Sequence, residues 1–151
     1  MQKKKYGGGV ILDCSHEIDL ANWMIGRIDI LSAHSTKKSK LKIETEDNCK
    51  ILGKFRKINI SIDLNYYSYF KKRLIYLFGN NFKIIVDLVS FKISIFKKGK
   101  KIIKKFKNDI EDSYFLELKD LFNRGQKHLA SYKSALRTQK IIQDIQDFKN
   151  I

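Results

Sequence analysis

The sequence has no proline, a single tryptophan and only two cysteines among 151 residues. Cys14 and Cys49 stand in no metal-ligand spacing to each other or to the histidines, which leaves no zinc-type site and points to a reducing, cytoplasmic setting. Acidic residues are scarce: 16 Asp and Glu face 31 Lys and Arg, a formal charge of +15. The longest apolar stretch, Val10 to Ile25, carries Asp13, His16, Glu17 and Asp19, so it reads as neither a membrane span nor the core of a signal peptide. Also missing are a strand followed by GxGxxG, a P-loop, an HExxH motif and a Ser-His-Asp order. These absences set aside a dinucleotide-binding domain, a P-loop NTPase, a zinc protease and a serine hydrolase within these residues.

With 43% apolar residues, the chain has enough to bury a core. A pI near 9.8 is one flag for nucleic-acid binding. Against it, the composition is crowded with Lys, Ile, Asn, Phe and Tyr, as AT-rich coding sequence tends to give. The lysines are scattered, and many alternate with apolar residues along strands, where they form a solvated face. Along the chain there is no ordered interleaving of aromatic and basic residues and no helix-turn-helix signal. Nucleic acid therefore ranks low as a partner, although the field favours anionic ligands.

The densest chemistry lies in Gly7-Gly8-Gly9-Val10-Ile11-Leu12-Asp13-Cys14-Ser15-His16-Glu17-Ile18-Asp19. Three glycines allow positive φ and close approach of another backbone or a ligand. From Val10 to Ile25 a helix is expected, with Ile11, Cys14, Ile18, Ala21 and Ile25 on one stripe and Leu12, Leu20 and Trp23 opposite. A helix apolar nearly all round is expected to be buried. Asp13 and His16, three residues apart, are within reach of each other. Spacing alone leaves two readings open: a structural ion pair, or a general acid/base histidine oriented by a carboxylate.

This stretch resembles the signature that opens the C-terminal domain of the Gfo/Idh/MocA (glucose–fructose oxidoreductase / inositol dehydrogenase) family. The match is Gly7-Gly8-Gly9, Asp13, His16 and Asp19, then Trp23-Met24-Ile25-Gly26 at the helix end. The resemblance implies that His16 and Asp13 are catalytic and that Gly8, Gly9 and Asp19 lie beside substrate or cofactor; the Cys and His spacing already gives no metal site. It implies NAD or NADP as cofactor, bound mainly by a Rossmann domain upstream that also supplies a lysine from a Glu-Lys-Pro motif. Many members place four residues between the Asp and the His; the three-residue form here resembles a subgroup linked to surface-sugar and nucleotide-sugar metabolism. Arg73 and Gly79 partly match a further family pattern, R-x-x-x-I-x-G-x-x-G, with Phe82 where its second glycine is expected.

Residues 1–6 read as a flexible basic start and 7–151 as a single substrate-binding and oligomerisation domain, with the Rossmann cofactor domain absent. Gly26 stops the first helix. Arg27–Ala33 reads as a strand, and so does Lys40–Thr45, followed by a Glu46-Asp47-Asn48 turn. Cys49–Leu52 reads as a short edge strand or helical turn broken at Gly53. Phe55–Tyr67 is the clearest strand, with Ile58, Ile60, Ile62 and Leu64 on one side. Hairpins are expected around Gly79-Asn80-Asn81 and Lys98-Gly99-Lys100, the latter lysines forming a solvated edge rather than a phosphate patch. A helix carrying Tyr114, Leu118, Leu121 and Phe122 starts from Asp109 or Asp112 and ends near Arg124-Gly125. A last helix from Ser131 turns Ala135, Ile141, Ile142 and Ile145 to the core. His34 and His128 read as surface loop residues.

The expected fold class is α+β: an N-terminal helix, a mostly antiparallel open β-sheet and two C-terminal helices. The expected function is the substrate-binding and catalytic half of an NAD(P)-dependent sugar or nucleotide-sugar oxidoreductase, inactive alone. Its partners would be a sugar or nucleotide sugar, a second copy docked through the apolar sheet faces Ile58–Leu64 and Phe91–Phe96, and a separate Rossmann-domain chain, with no membrane. The alternatives are a non-enzymatic fragment kept for oligomerisation and, less favoured, a basic nucleic-acid-binding domain.

Overall fold

Two apolar periods organise the chain, about 3.6 residues at its ends and 2 in between, and they build helices around and beside antiparallel strands. The computed structural model describes residues 7–107, 110–122 and 129–148. In order these form α1 (Val10–Asp13), α2 (Ser15–Ile25), β1 (Asp29–Thr36), β2 (Asn48–Phe55), β3 (Ile58–Asn65), β4 (Leu74–Gly79), β5 (Phe82–Asp87), β6 (Lys92–Lys97), β7 (Lys100–Lys105), α3 (Ile110–Phe122) and α4 (Tyr132–Asp147). The α+β architecture is as expected, but the strands divide into two antiparallel sheets, β1-β2-β3 and β4-β5-β6-β7. The chain forms two compact units, Met1–Tyr67 with Ala130–Ile151, and Ser68–Leu129.

In the first unit, α1, α2 and α4 supply Val10, Ile11, Ile18, Ile141, Ile142 and Ile145 to a core completed by Ile28, Cys49, Ile51 and Leu64. Alternation along β3 does what period 2 demands: Ile60 and Ile62 pack against the core and Leu64 is buried in it. That apolar face is covered by the unit's own core, so it is not the free face expected to receive a second copy. Ser131 starts α4 as an N-cap, accepting from the Ser134 N–H at 3.2 Å. Ala135 is exposed, and Thr138 takes the core-facing place one turn on.

Four local expectations are corrected. The first helix is broken at Cys14 (φ −101°, ψ 22°), and it is not buried all round: Trp23 is 75% exposed. Lys40–Thr45 forms no strand; the loop is tied instead to the Asp47 carboxylate, which accepts from the backbone N–H of Lys38 (2.7 Å) and of Ser39 (2.8 Å). Cys49–Leu52 is neither an edge strand nor a helical turn. It belongs to β2, the central strand, which runs through Gly53 because Ile28 and the Asp29 carbonyl crowd the place a side chain would take. His34 lies on β1, not in a loop, with its side chain exposed. The basic start at 1–6, the Asp109 cap, the helix end at Arg124-Gly125 and His128 lie outside the described residues.

The second unit is a meander. Gly79 pairs with Phe82 across Asn80-Asn81, and Lys97 with Lys100 across Lys98-Gly99. Lys98 (φ 49°) and Gly99 (φ 70°) are both left-handed, the combination that matches the strand twist in a two-residue hairpin turn. One face of this sheet is apolar, with Ile75, Leu77, Ile84, Val86, Ile93 and Ile95 in register. The described side chains of α3 are almost all exposed.

Candidate functional site

Gly9 turns the chain into α1 with φ 101°, and a side chain there would run into the Glu46 carboxylate. The same approach is fixed by backbone, since the Val10 N–H donates to the Glu46 carbonyl at 3.1 Å. The glycine run is thus used here to let β2's approach segment lie against the helix start.

Asp13 closes α1 and His16 lies in the first turn of α2, both exposed. The Tyr66 hydroxyl donates to Asp13 Oδ2. His16 Nε2 lies 3.3 Å from Glu17 Oε1, so the carboxylate beside the imidazole is that of the neighbouring glutamate. The break at Cys14 falls between the two residues, so they stand on two short helices rather than one. Asp19 faces elsewhere: it accepts from the Thr138 hydroxyl, which also accepts from Asn22 Nδ2 at 3.4 Å, so the group ties α2 to α4.

Tyr66 has no local signal that would have marked it, because it reaches Asp13 from 53 residues away. Its position is set from behind. The Tyr66 N–H donates to the Asp47 carbonyl at 3.0 Å, and the Asp47 N–H to the Thr36 carbonyl at 3.1 Å. The Asp47 side chain is fully buried. Burial alone pushes its carboxyl up, but the Ser39 hydroxyl, the N–H groups of Lys38 and Ser39 and the Lys37 ammonium outweigh that and hold it well below the usual carboxylate range. A buried carboxylate that is charged at neutral pH therefore stands behind the tyrosine that holds Asp13.

Beside this group runs a cleft of about 400 Å³ lined by Gly7, Gly8, Leu12, Lys37, Glu44 and Glu46, among others. Two carboxylates against one ammonium suit a hydroxylated, neutral or cationic group and oppose a pyrophosphate. The residues present do not fit a dinucleotide. Among the described residues no three His, Cys, Asp or Glu are grouped to hold a metal. No helix among them is long and apolar enough to cross a membrane.

Residues 1–88 match the model of the GFO/IDH/MocA C-terminal domain. No curated protein matches the chain in sequence. Among solved structures, the chain resembles the WlbA dehydrogenase from Bordetella pertussis in complex with NADH and UDP-GlcNAcA, with TM-score 0.67, 18% identity, and coverage of 97% of this chain and 44% of that one. It also resembles the UDP-N-acetylglucosamine 3-dehydrogenase GnnA from Acidithiobacillus ferrooxidans, at TM-score 0.72, 14% identity, and 92% against 46% coverage. The MviM dehydrogenase from Clostridium difficile gives TM-score 0.72, 13% identity, and 89% against 46%. The chain spans about half the length of these proteins.

Proposed function

The chain belongs to the GFO/IDH/MocA family through its C-terminal domain, and from that premise we propose that it is the substrate-binding half of a sugar or nucleotide-sugar oxidoreductase that uses NAD or NADP. The observation that carries this reading is the exposed pair at the helix break: His16 open to solvent beside Glu17, and Asp13 held by Tyr66. Oxidising a hydroxyl to a ketone removes a proton and a hydride. The hydride half is the nicotinamide's chemistry, and polypeptide outside these residues would hold that cofactor together with the family's lysine, because the described residues form no dinucleotide cradle.

The proton half belongs to this chain. An exposed imidazole beside Glu17 takes the hydroxyl proton at one ring nitrogen and releases it to water. Asp13, fixed by Tyr66, holds a neighbouring sugar hydroxyl, and the Gly7–Gly8 cleft with Glu44 and Glu46 takes further sugar hydroxyls, the diphosphate of a nucleotide sugar lying outside it. The nucleotide-sugar class is supported by what WlbA and GnnA are described as handling. The apolar face of the second sheet supports self-association, and Ile93→Asp is expected to turn a dimer into a monomer in light scattering. A wild-type chain that is monomeric at micromolar concentration refutes that part.

The test is twofold. Coding DNA upstream of Met1, or beside it, should encode a strand–GxGxxG–helix followed by Glu-Lys-Pro; unrelated sequence there removes the reading. With that domain supplied, His16→Ala should lower kcat about a hundredfold or more, Tyr66→Phe less, and the 151-residue chain alone should show no turnover with NAD(P) and UDP-sugars.

A further inference from the structure

Reading along the chain, lysines and aromatics do not interleave. Reading across the second sheet, they do. The register Phe78↔Lys83, Lys83↔Phe96 and Phe96↔Lys101 sets an aromatic–lysine–aromatic–lysine row over all four strands, on the face opposite the apolar one. Tyr76 extends it along β4, its ring stacked on Phe78 at 6.3 Å and 7°. The Lys83 ammonium lies 5.9 Å from the Tyr76 ring and 5.5 Å from Phe78, and Lys101 lies 5.6 Å from Phe96. Two of these rings are well exposed, Phe78 at 72% and Tyr76 at 50%, and Phe96 is half-buried.

The charge is gathered here too. Residues 68–107 hold twelve Lys or Arg and one acid, Asp87. The Asp87 carboxylate is engaged in its own turn, accepting from the Val89 and Ser90 N–H groups, both at 3.0 Å, and from the Ser90 hydroxyl. Most of the chain's excess positive charge thus lies along the four-stranded sheet and its turns, with Lys83, Lys92, Lys101 and Lys105 on the aromatic face by register. A second copy of the chain would meet this face with like charge. A small sugar would leave most of this extended row of rings and ammonium groups uncovered. A polyanion carrying flat aromatic groups at intervals meets both features at once.

We propose that this face binds single-stranded nucleic acid, with bases stacked on Tyr76, Phe78 and Phe96 and phosphates neutralised by Lys83 and Lys101. Stacking needs unpaired bases, so the face discriminates single strand from duplex and is largely indifferent to sequence. It acts in a different unit from His16 and Asp13 and does not depend on them.

The test is fluorescence anisotropy of a fluorescein-labelled, mixed-sequence single strand of about sixteen nucleotides titrated with the full chain, beside the same sequence as a duplex. The single strand should bind about tenfold or more tightly than the duplex. With Lys92 and Lys105 on the same face, about four phosphates are neutralised, and log K should fall against log salt with a slope of about −3. Phe78→Ala should weaken binding about tenfold with the slope unchanged, whereas Lys83→Gln should reduce the slope by about 0.7. Tyr76→Ser serves as the second ring variant, and circular dichroism checks that each variant keeps its strands. The proposal is overturned by equal affinity for duplex and single strand. It is equally overturned by Phe78→Ala and Tyr76→Ser that leave affinity unchanged, or by a Phe78→Ala that dissolves a dimer while the wild type binds no oligonucleotide.

Discussion

The two units share a composition rich in Ile, Phe and Lys and use it in opposite ways. Every fully buried apolar residue among those described lies in the first unit, where helices pack on the three-stranded sheet. In the second unit a polar residue, Ser94, is the one described side chain that is buried, and Phe78, Phe82, Ile102, Ile103 and six large apolar residues of α3 are exposed. Apolar content is not a core; a core needs two layers facing each other. The first unit has its second layer in α1, α2 and α4. The second unit offers one face of aliphatic side chains and another that carries the Phe78–Lys83–Phe96–Lys101 row.

The comparison is sharpened most by truncating matched isoleucines. Ile145→Ala, fully buried, is expected to cost about 4 kcal/mol in urea unfolding followed by Trp23 fluorescence, and Ile84→Ala about 1 kcal/mol by circular dichroism. Equal losses would break the contrast. Asp47→Asn should cost about 3 kcal/mol, since it leaves the Lys37 ammonium and two N–H donors around a neutral amide.

The same carboxylate sets an acid limit. Its folded pKa is depressed, so the unfolded chain binds the extra proton, and the stabilisation is complete above the unfolded value of about 4 and falls away as pH drops below it. Wild type should therefore lose stability between about pH 4 and pH 2 more steeply than Asp47→Asn; parallel curves would dismiss Asp47 as the cause. The smallest contrast is between two glycines. Gly53→Ala sets a Cβ 2.7 Å from Ile28 Cγ2 and should cost about 2 kcal/mol, while Gly99→Ala, in open space at positive φ, should cost about 1 kcal/mol.

What could be read from the sequence follows the range of the forces involved. Alternation at Ile58–Leu64 and the two hairpin turns are local, and they were legible. So were the N-terminal signature, the stop at Gly26 and the core stripe of α4 from Ile141 to Ile145. Lys40–Thr45 misled because Leu41 and Ile43 mimic a strand, while the deciding interaction comes from Asp47, beyond the segment itself. Gly53 looked like a break because its neighbour Ile28 is remote in sequence. At the candidate site, Asp13 and His16 could be picked out by residue type and spacing, while the break at Cys14 and the reach of Tyr66 to Asp13 depend on tertiary placement. The Phe78–Lys83–Phe96–Lys101 row exists only once strands are in register, so no window along the chain contains it.

The second unit lies, in chain order, between Tyr67 and Ala130, and the first unit closes only with α4. Asn22 meets Thr138 across 116 residues. During synthesis at roughly 5–20 residues per second, the isoleucines of α2 therefore stay uncovered until nearly the whole chain has emerged, while the β4–β7 meander, made of neighbouring hairpins, is free to form first. The order of translation and the order of burial run opposite ways in this protein. A chain cut short before α4 would present the β4–β7 sheet joined to an unsealed core, a species suited to capture by chaperones.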